Sequence, residues 1–225
     1  MNRILVWDLP TRAFHWLLAV SFLGAFLSAE SERYRDIHVV LGYTALGLVV
    51  FRFFWGLIGT RYARFSSFPI APRRVFEYLK SLLERTPQHH VGHNPAGSLA
   101  IYAILALALL AGISGYAAYN EIGGESLAEL HEGVANAMLG LVAIHIAAVI
   151  ASSLLHRENL VAAMLNGYKK GGAGEGIRRK HWLVAAVVVV VTVGFWAGSA
   201  GLLPQGMGIA ATAAVVPAQA QGGRG

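Results

Sequence analysis

Residues 131–154 read HEGVANAMLGLVAIHIAAVIASSL, an apolar run long enough to cross a lipid bilayer as one helix. The run carries two histidines, His131 and His145. Fourteen residues at about 100° each return His145 to within about 40° of the face of His131, and a rise of about 1.5 Å per residue separates the two by about 21 Å. Hydrogen-bonded packing explains a single intramembrane histidine about as well as ligation does. Two histidines on one face favour two bound groups, each held through a ring nitrogen.

The composition is that of an integral membrane protein. Hydrophobic residues make up 56% of the chain and charged residues only 13%, which excludes an ordinary soluble enzyme. The sequence contains no cysteine, so it cannot form disulfides, iron–sulfur clusters or thioether-attached haem. Any redox cofactor must therefore be held by histidine, methionine or packing.

Apolar runs predict five membrane-spanning helices. His15 lies in the first span, and His38 lies in the second span at the opposite end of the membrane. Gly42 follows His38 by one turn and leaves room for a bulky planar group beside the imidazole. The third and fifth spans contain no histidine. The predicted spans cover residues 10–29, 38–58, 96–119, 131–154 and 182–203.

The segments between the spans are expected to be interfacial or solvated. Residues 72–85 have apolar side chains at helical spacing behind a proline, which predicts an amphipathic helix on the membrane surface. Arg52, near the end of the second span, is expected to reach the lipid headgroups. The histidines at 89, 90 and 93 are interpreted as a solvated turn and not as a metal site.

The chain divides into three predicted regions. Residues 1–170 form a four-helix domain, and residues 171–203 form a basic loop and a peripheral fifth helix. Residues 204–225 are rich in Ala, Gly and Gln without periodicity, which predicts a flexible tail.

The distribution of basic residues predicts the orientation. Apart from Arg33, Arg35 and Arg224, every Lys and Arg falls at the N-terminus, in the second-to-third connection with its flanks, or in the fourth-to-fifth connection. Basic loops are retained in the cytoplasm, so we expect a cytoplasmic N-terminus and a periplasmic C-terminus in a bacterial inner membrane. The opposite loops carry acidic residues, namely Glu30, Glu32, Asp36, Glu121, Glu125 and Glu129.

This orientation groups the intramembrane histidines into two pairs. His15 and His145 lie toward the cytoplasmic side, whereas His38 and His131 lie toward the outer side, and each pair comes from two helices. Such pairs suit haem b, whose iron takes two axial nitrogens and then has no open position, which favours electron transfer over oxygen activation. Zinc is a weaker interpretation because no Asp, Glu or Cys accompanies either pair in the bilayer. We therefore predict an all-α integral membrane protein in which a four-helix transmembrane bundle holds two non-covalent b haems and a fifth C-terminal transmembrane helix follows.

Four stretches carry a more specific signal. They are WDLPTRAFHWLLA (7–19), HVVLGYTALGLVVFRFFWGLIGTRYARF (38–65), HNPAGSLAIYAILALALLAGISGY (93–116) and the fourth span with its two histidines. Together they resemble the bacterial cytochrome b561 and nickel-hydrogenase cytochrome b subunit family over about residues 3–170. The resemblance implies that His15 and His145 ligate the iron of an inner haem, and that His38 and His131 ligate the iron of an outer haem.

The resemblance also implies a function. Members of this family exchange electrons between the quinone pool and a redox partner, which is a hydrogenase, a cytochrome c or another periplasmic protein. The chain is then a respiratory cytochrome b or the anchor subunit of an oxidoreductase, and a stand-alone superoxide:ubiquinone oxidoreductase is the alternative. A proton or metal transporter is a different class of protein, which the lack of paired acidic residues and of inverted repeats disfavours. A purely structural anchor would leave the four histidines unexplained.

Overall fold

The computed structural model describes residues 2–84, 86 and 88–201, and this part of the chain is almost entirely helical. The flexible tail expected at 204–225 lies outside the described residues. Short 3-10 turns occur at Glu32–Tyr34 and Phe65–Ser67. The other elements, in chain order, are β1 (Asn2–Leu5), α1 (Leu9–Ser28), α2 (Arg35–Ile58), α3 (Pro72–Leu83), α4 (Pro95–Tyr119), α5 (Glu125–His156), α6 (Leu160–Asn166), β2 (Tyr168–Gly171) and α7 (Trp182–Ser199).

Five helices of the described chain are long and apolar enough to cross a membrane, namely α1, α2, α4, α5 and α7. Large apolar side chains such as Phe54, Leu154 and Val190 are exposed on their outer surfaces, as expected where lipid replaces water. The predicted all-α membrane fold is therefore confirmed. We call the membrane side on which α1 begins the N-terminal side, and the opposite one the far side.

Local sequence signals set where the helices begin. Asp8 caps α1 by accepting a hydrogen bond from the backbone N–H of Thr11 at 2.8 Å, and Pro10 lies in the first turn. Asn94 caps α4 in the same way, accepting from the N–H of Gly97 at 2.7 Å. These polar caps satisfy backbone donors at the ends of apolar helices, where lipid offers no partner.

The helices form a bundle with gaps on one side of α5. Helix α1 packs on α2, α4 packs on α5 and also contacts α2, and α7 lies mainly against α1. In contrast, α5 keeps few close backbone contacts with α1 and α2 in the described chain. The buried core joins all four helices of the bundle to α7, through Phe14, Leu18, Leu48, Val49, Leu105, Ala108, Met138 and Val188. The gaps beside α5 are where the paired histidines lie.

A small sheet that the sequence analysis does not predict closes the N-terminal side. Strand β1 pairs antiparallel with β2, with Asn2 opposite Gly171 and Leu5 opposite Tyr168. Two such strands are marginal alone, and here the N–H groups of Val6 and Trp7 both donate to the carbonyl of Gly167. The sheet ties the start of α1 to the segment that follows α5.

Candidate haem-binding sites

The far-side pair, His38 on α2 and His131 on α5, consists of two imidazoles that face each other across one of these gaps. Their ring centroids are 6.0 Å apart, and the ring planes are almost perpendicular at 89°. A metal–imidazole bond is about 2 Å long, so two imidazoles on opposite sides of one metal ion have centroids about 6 Å apart. The observed separation matches a bis-histidine site.

Hydrogen bonds fix which nitrogen each far-side imidazole offers. Nδ1 of His38 lies 2.8 Å from the carbonyl oxygen of Ala25, and Nδ1 of His131 lies 2.9 Å from that of Ala111. A carbonyl can only accept, so Nδ1 carries the proton in both rings and donates it. In the neutral form, a ring protonated at Nδ1 has its lone pair on Nε2, which is the arrangement that hydrogen bonds to the other ring nitrogen impose on metal-bound histidines.

Glycines shape the far-side cavity, which has a volume of about 410 Å³ and is lined by both histidines. A Cβ at Gly42 would meet no atom of the described chain within 4 Å, so the backbone of α2 borders open space there. A Cβ at Gly115 would lie 2.8 Å from Cε1 of His131, so only glycine lets the imidazole sit where it does. The two Nε2 atoms and the cavity between the helices fit a planar metal-containing group whose metal takes two histidine nitrogens.

The N-side pair consists of His15 on α1 and His145 on α5. Both side chains are partly buried. Nδ1 of His15 is buried and has no hydrogen-bond partner within the described ranges. Because each helical residue rises about 1.5 Å, His145 lies about 21 Å along α5 from His131. The second pair of histidines is therefore at a different depth in the membrane from the first.

Two residues near the N-side pair are placed differently from the sequence expectation. Arg52 does not reach the headgroups, since it is 2% exposed and its Nη2 donates to the carbonyl of Ala63 at 2.9 Å. His93 does not belong to a solvated turn, because its ring packs between Trp7 and Phe68 with centroid distances of 4.5 and 4.4 Å. Burial, together with the charges of Arg52 and Lys169, lowers the pKa of His93 to about 3. His93 is therefore neutral at physiological pH.

The neighbouring histidines, His89 and His90, have different surroundings. His89 is exposed. His90 is partly buried, and Nδ1 of His90 donates to the carbonyl of Gln88. In the described part of the chain, no three His, Cys, Asp or Glu side chains converge to hold a metal ion.

Asp8 is a structural residue that the sequence analysis did not identify as such. It is 1% exposed and accepts hydrogen bonds from Trp55 Nε1 at 3.1 Å and Thr60 Oγ1 at 2.6 Å, in addition to capping α1. The carboxylate therefore joins the start of α1 to the end of α2. The sequence signal that could have found it is the Asp-Leu-Pro helix start, since an aspartate followed by proline at a helix start is typical of a cap.

The fold and the paired histidines define a class, namely a multi-helix membrane protein with histidine pairs between its helices. Comparison with known proteins gives the family: residues 6–167 match the family described as prokaryotic cytochrome b561. The chain belongs to this family, and it is accordingly a haem-binding transmembrane cytochrome b of electron transport.

Curated relatives are named as hydrogenase subunits. The probable Ni/Fe-hydrogenase B-type cytochrome subunits of Azotobacter vinelandii and Rhodobacter capsulatus are each 24% identical to this chain. The alignments cover 75% of this chain in both cases, and 89% and 82% of the two relatives. The probable Ni/Fe-hydrogenase 1 B-type cytochrome subunit of Escherichia coli K12 is 22% identical over 76% of this chain and 92% of the relative. No solved structure gives a significant match.

Proposed function

We propose that the chain binds two non-covalent haem b groups and transfers electrons across the membrane between them. His38 and His131 ligate the outer haem iron, and His15 and His145 ligate the inner one. The observation that carries the proposal is the far-side pair, whose 6.0 Å centroid separation and Nδ1–carbonyl hydrogen bonds leave two Nε2 lone pairs for one metal ion. The N-side pair adds a second histidine of α5, His145, fourteen residues further along than His131, together with His15 of α1.

Bis-histidine haem b supplies reversible one-electron reduction with no open coordination position. The chain contributes the four imidazoles and a separation of about 21 Å along α5 between the two ligand levels. Two ligand levels at different depths divide the membrane crossing into shorter steps. This division supports transmembrane electron transfer over storage at a single site.

The proposed orientation places the N-terminal side in the cytoplasm of a bacterial inner membrane and the C-terminus in the periplasm. It rests on the basic residues of the N-terminal side, which include Lys169, Lys170, Arg178 and Arg179. The acidic residues Glu121, Glu125 and Glu129 lie exposed on the far side, at or near the loop that joins α4 to α5.

The proposed redox partners are the membrane quinone pool and a periplasmic redox protein. A quinone is soluble in lipid and can therefore reach a haem held within a transmembrane bundle. The names of the relatives favour a hydrogenase as the periplasmic partner, over a cytochrome c or another redox subunit. In this role the chain is the membrane anchor of an oxidoreductase.

The proposal is tested on the protein purified in mild detergent. A reduced-minus-oxidised absorption spectrum should show b-type haem, and haem extraction should give two haems per chain. A colourless protein that is folded and inserted in the membrane would contradict the proposal and would favour a transporter. Oxidation of the reduced protein by a water-soluble quinone analogue tests the quinone step separately.

A further inference from the structure

Arg52 occupies the position on α2 that corresponds to His145 on α5. The two helices run in the same direction, and each carries two polar side chains fourteen residues apart, His38 and Arg52 on α2 and His131 and His145 on α5. Fourteen helical residues span about 21 Å and return to within about 40° of the same face. Because His38 faces His131, Arg52 lies at the depth of His145. Helix α2 therefore contributes a ligand histidine to the far side and a cation to the N-terminal side.

The guanidinium of Arg52 is buried but incompletely paired. Nη2 donates to the carbonyl of Ala63, while Nη1 is buried and has no hydrogen-bond partner among the residues described. The guanidinium carbon lies 4.7 Å from the ring centroid of Phe65 and 5.8 Å from that of Phe68. A buried charge with a free donor is costly unless an anion completes its coordination.

The described part of the chain does not supply that anion. The charge of Asp8 acts on Arg52, but its carboxylate is engaged by the N–H of Thr11, by Trp55 Nε1 and by Thr60 Oγ1. Ion pairs within the described ranges join only Arg73 to Glu77 and Lys80 to Glu84. Arg52 is therefore available to a carboxylate from outside the chain.

His93 provides a second unpaired nitrogen beside it. Nδ1 of His93 is buried and has no hydrogen-bond partner in the described chain, and Phe68 contacts both the His93 ring and the guanidinium of Arg52. Phe68 thus brings together two side chains from different segments that each have an unpaired nitrogen, at the depth of His145.

We propose that Arg52 and His93 form a carboxylate clamp for the inner haem b, in which Arg52 Nη1 and the Nδ1–H of His93 donate hydrogen bonds to a propionate. The inference rests on the proposed function, because it needs a haem between His15 and His145. A guanidinium suits this role because its planar fork matches the geometry of a carboxylate. Arg52 and His93 are positioning residues: they orient the bound group, and the positive charge of Arg52 offsets the propionate charge, which would otherwise oppose reduction.

The test is a redox titration of the full-length holoprotein carrying Arg52→Gln, His93→Phe or the control Arg61→Gln. Arg61 is an exposed arginine of the same side and has no part in the clamp. Arg52→Gln should lower the equilibrium constant for reduction of the inner haem at least tenfold, which corresponds to a reduction potential lower by about 59 mV for one electron. The reduction potential of the outer haem should not change. His93→Phe, which keeps an aromatic ring between Trp7 and Phe68, should shift the same component by less.

Infrared difference spectra of protein carrying ¹³C-labelled propionates identify the anion. Reduction should shift the labelled carboxylate bands in the wild type, and Arg52→Gln should change that shift. Selective loss of the inner haem from Arg52→Gln also supports the clamp. If Arg52→Gln is not recovered in the membrane, Arg52→Lys is used instead. It should shift the reduction potential of the inner haem alone.

Unchanged potentials and carboxylate bands in these variants, or equal shifts of both haems, would overturn the clamp. Those results would not contradict the proposed function, provided that the wild type holds two haems. A wild type without the inner haem would instead contradict the proposed function.

Discussion

A Cβ atom at Gly115 of α4 would lie 2.8 Å from Cε1 and 2.9 Å from Nδ1 of His131, so the imidazole occupies the space that any other residue would fill. Gly115→Val should therefore displace His131 and remove the outer haem while the inner haem remains. Haem content per chain should fall to about half, as measured by extraction and by the difference spectrum. Gly140→Ala, on the exposed surface of α5 with no atom near the added methyl, is the matched control. Two retained haems in Gly115→Val would contradict the assigned position of the outer haem.

The ligand assignment predicts which histidines act together. His131→Ala and His38→Ala should each remove the same spectral component, because both imidazoles serve one iron. His15→Ala and His145→Ala should each remove the other component. His89→Ala, which changes an exposed histidine, should remove neither. The measurement is the difference spectrum with haem content per chain, and loss of different components within one pair would show that the pairing is wrong.

Asp8 is expected to be important for stability because it satisfies three donors from a fully buried position. Asp8→Ala removes the cap of α1 and leaves Trp55 Nε1 without an acceptor, which should lower the free energy of unfolding by about 2–4 kcal/mol. Asp8→Asn keeps an oxygen for the cap and should lower it by less. Thermal unfolding followed by circular dichroism checks the order of the three proteins. Asp36→Ala, at an exposed position in the first turn of α2, should melt close to the wild type.

The transmembrane helices were predictable because a bilayer constrains them strongly. Every backbone group must be paired within the helix and the outer surface must be apolar, so the runs that begin near Leu9, Arg35 and Pro95 could be recognised directly. The periodicity of residues 72–85 likewise predicts α3, which the structure places at Pro72–Leu83. The short pairing of β1 with β2 was not predictable, because four residues on each strand are too few for a periodic signal. Each strand is formed by pairing with a segment more than 160 residues away in the sequence.

Arg52 and His93 were misassigned for a related reason. A basic residue near the end of an apolar span usually reaches the headgroups, and a histidine in a polar connection is usually solvated. What buries them is the tertiary packing of Phe65, Phe68 and Trp7, which come from other segments of the chain. Spacing along one helix indicates which residues share a face, as for His131 and His145, but it does not indicate what covers that face.

Helix α7 should be dispensable for haem binding, although it is part of the packed structure. It carries none of the four assigned ligands and lies mainly against α1. Val188 joins the core, and Trp196 Nε1 donates to Thr44 Oγ1 of α2 at 2.9 Å. Lipid is as apolar as valine, so removing such a helix costs packing and one hydrogen bond but exposes little surface that lipid cannot cover.

Truncation after His181 should therefore leave two haems per chain and an unchanged difference spectrum, with a lower melting temperature. Trp196→Phe in the full chain is the milder variant and should lower the melting temperature by less, because it removes only the hydrogen bond to Thr44. Affinity purification of both proteins with the proposed hydrogenase-type partner tests whether α7 carries the docking surface, in which case only the truncated protein should lose that partner. Loss of either haem from a truncated protein that is still inserted in the membrane would show that α7 supports a haem site through its contact with α1.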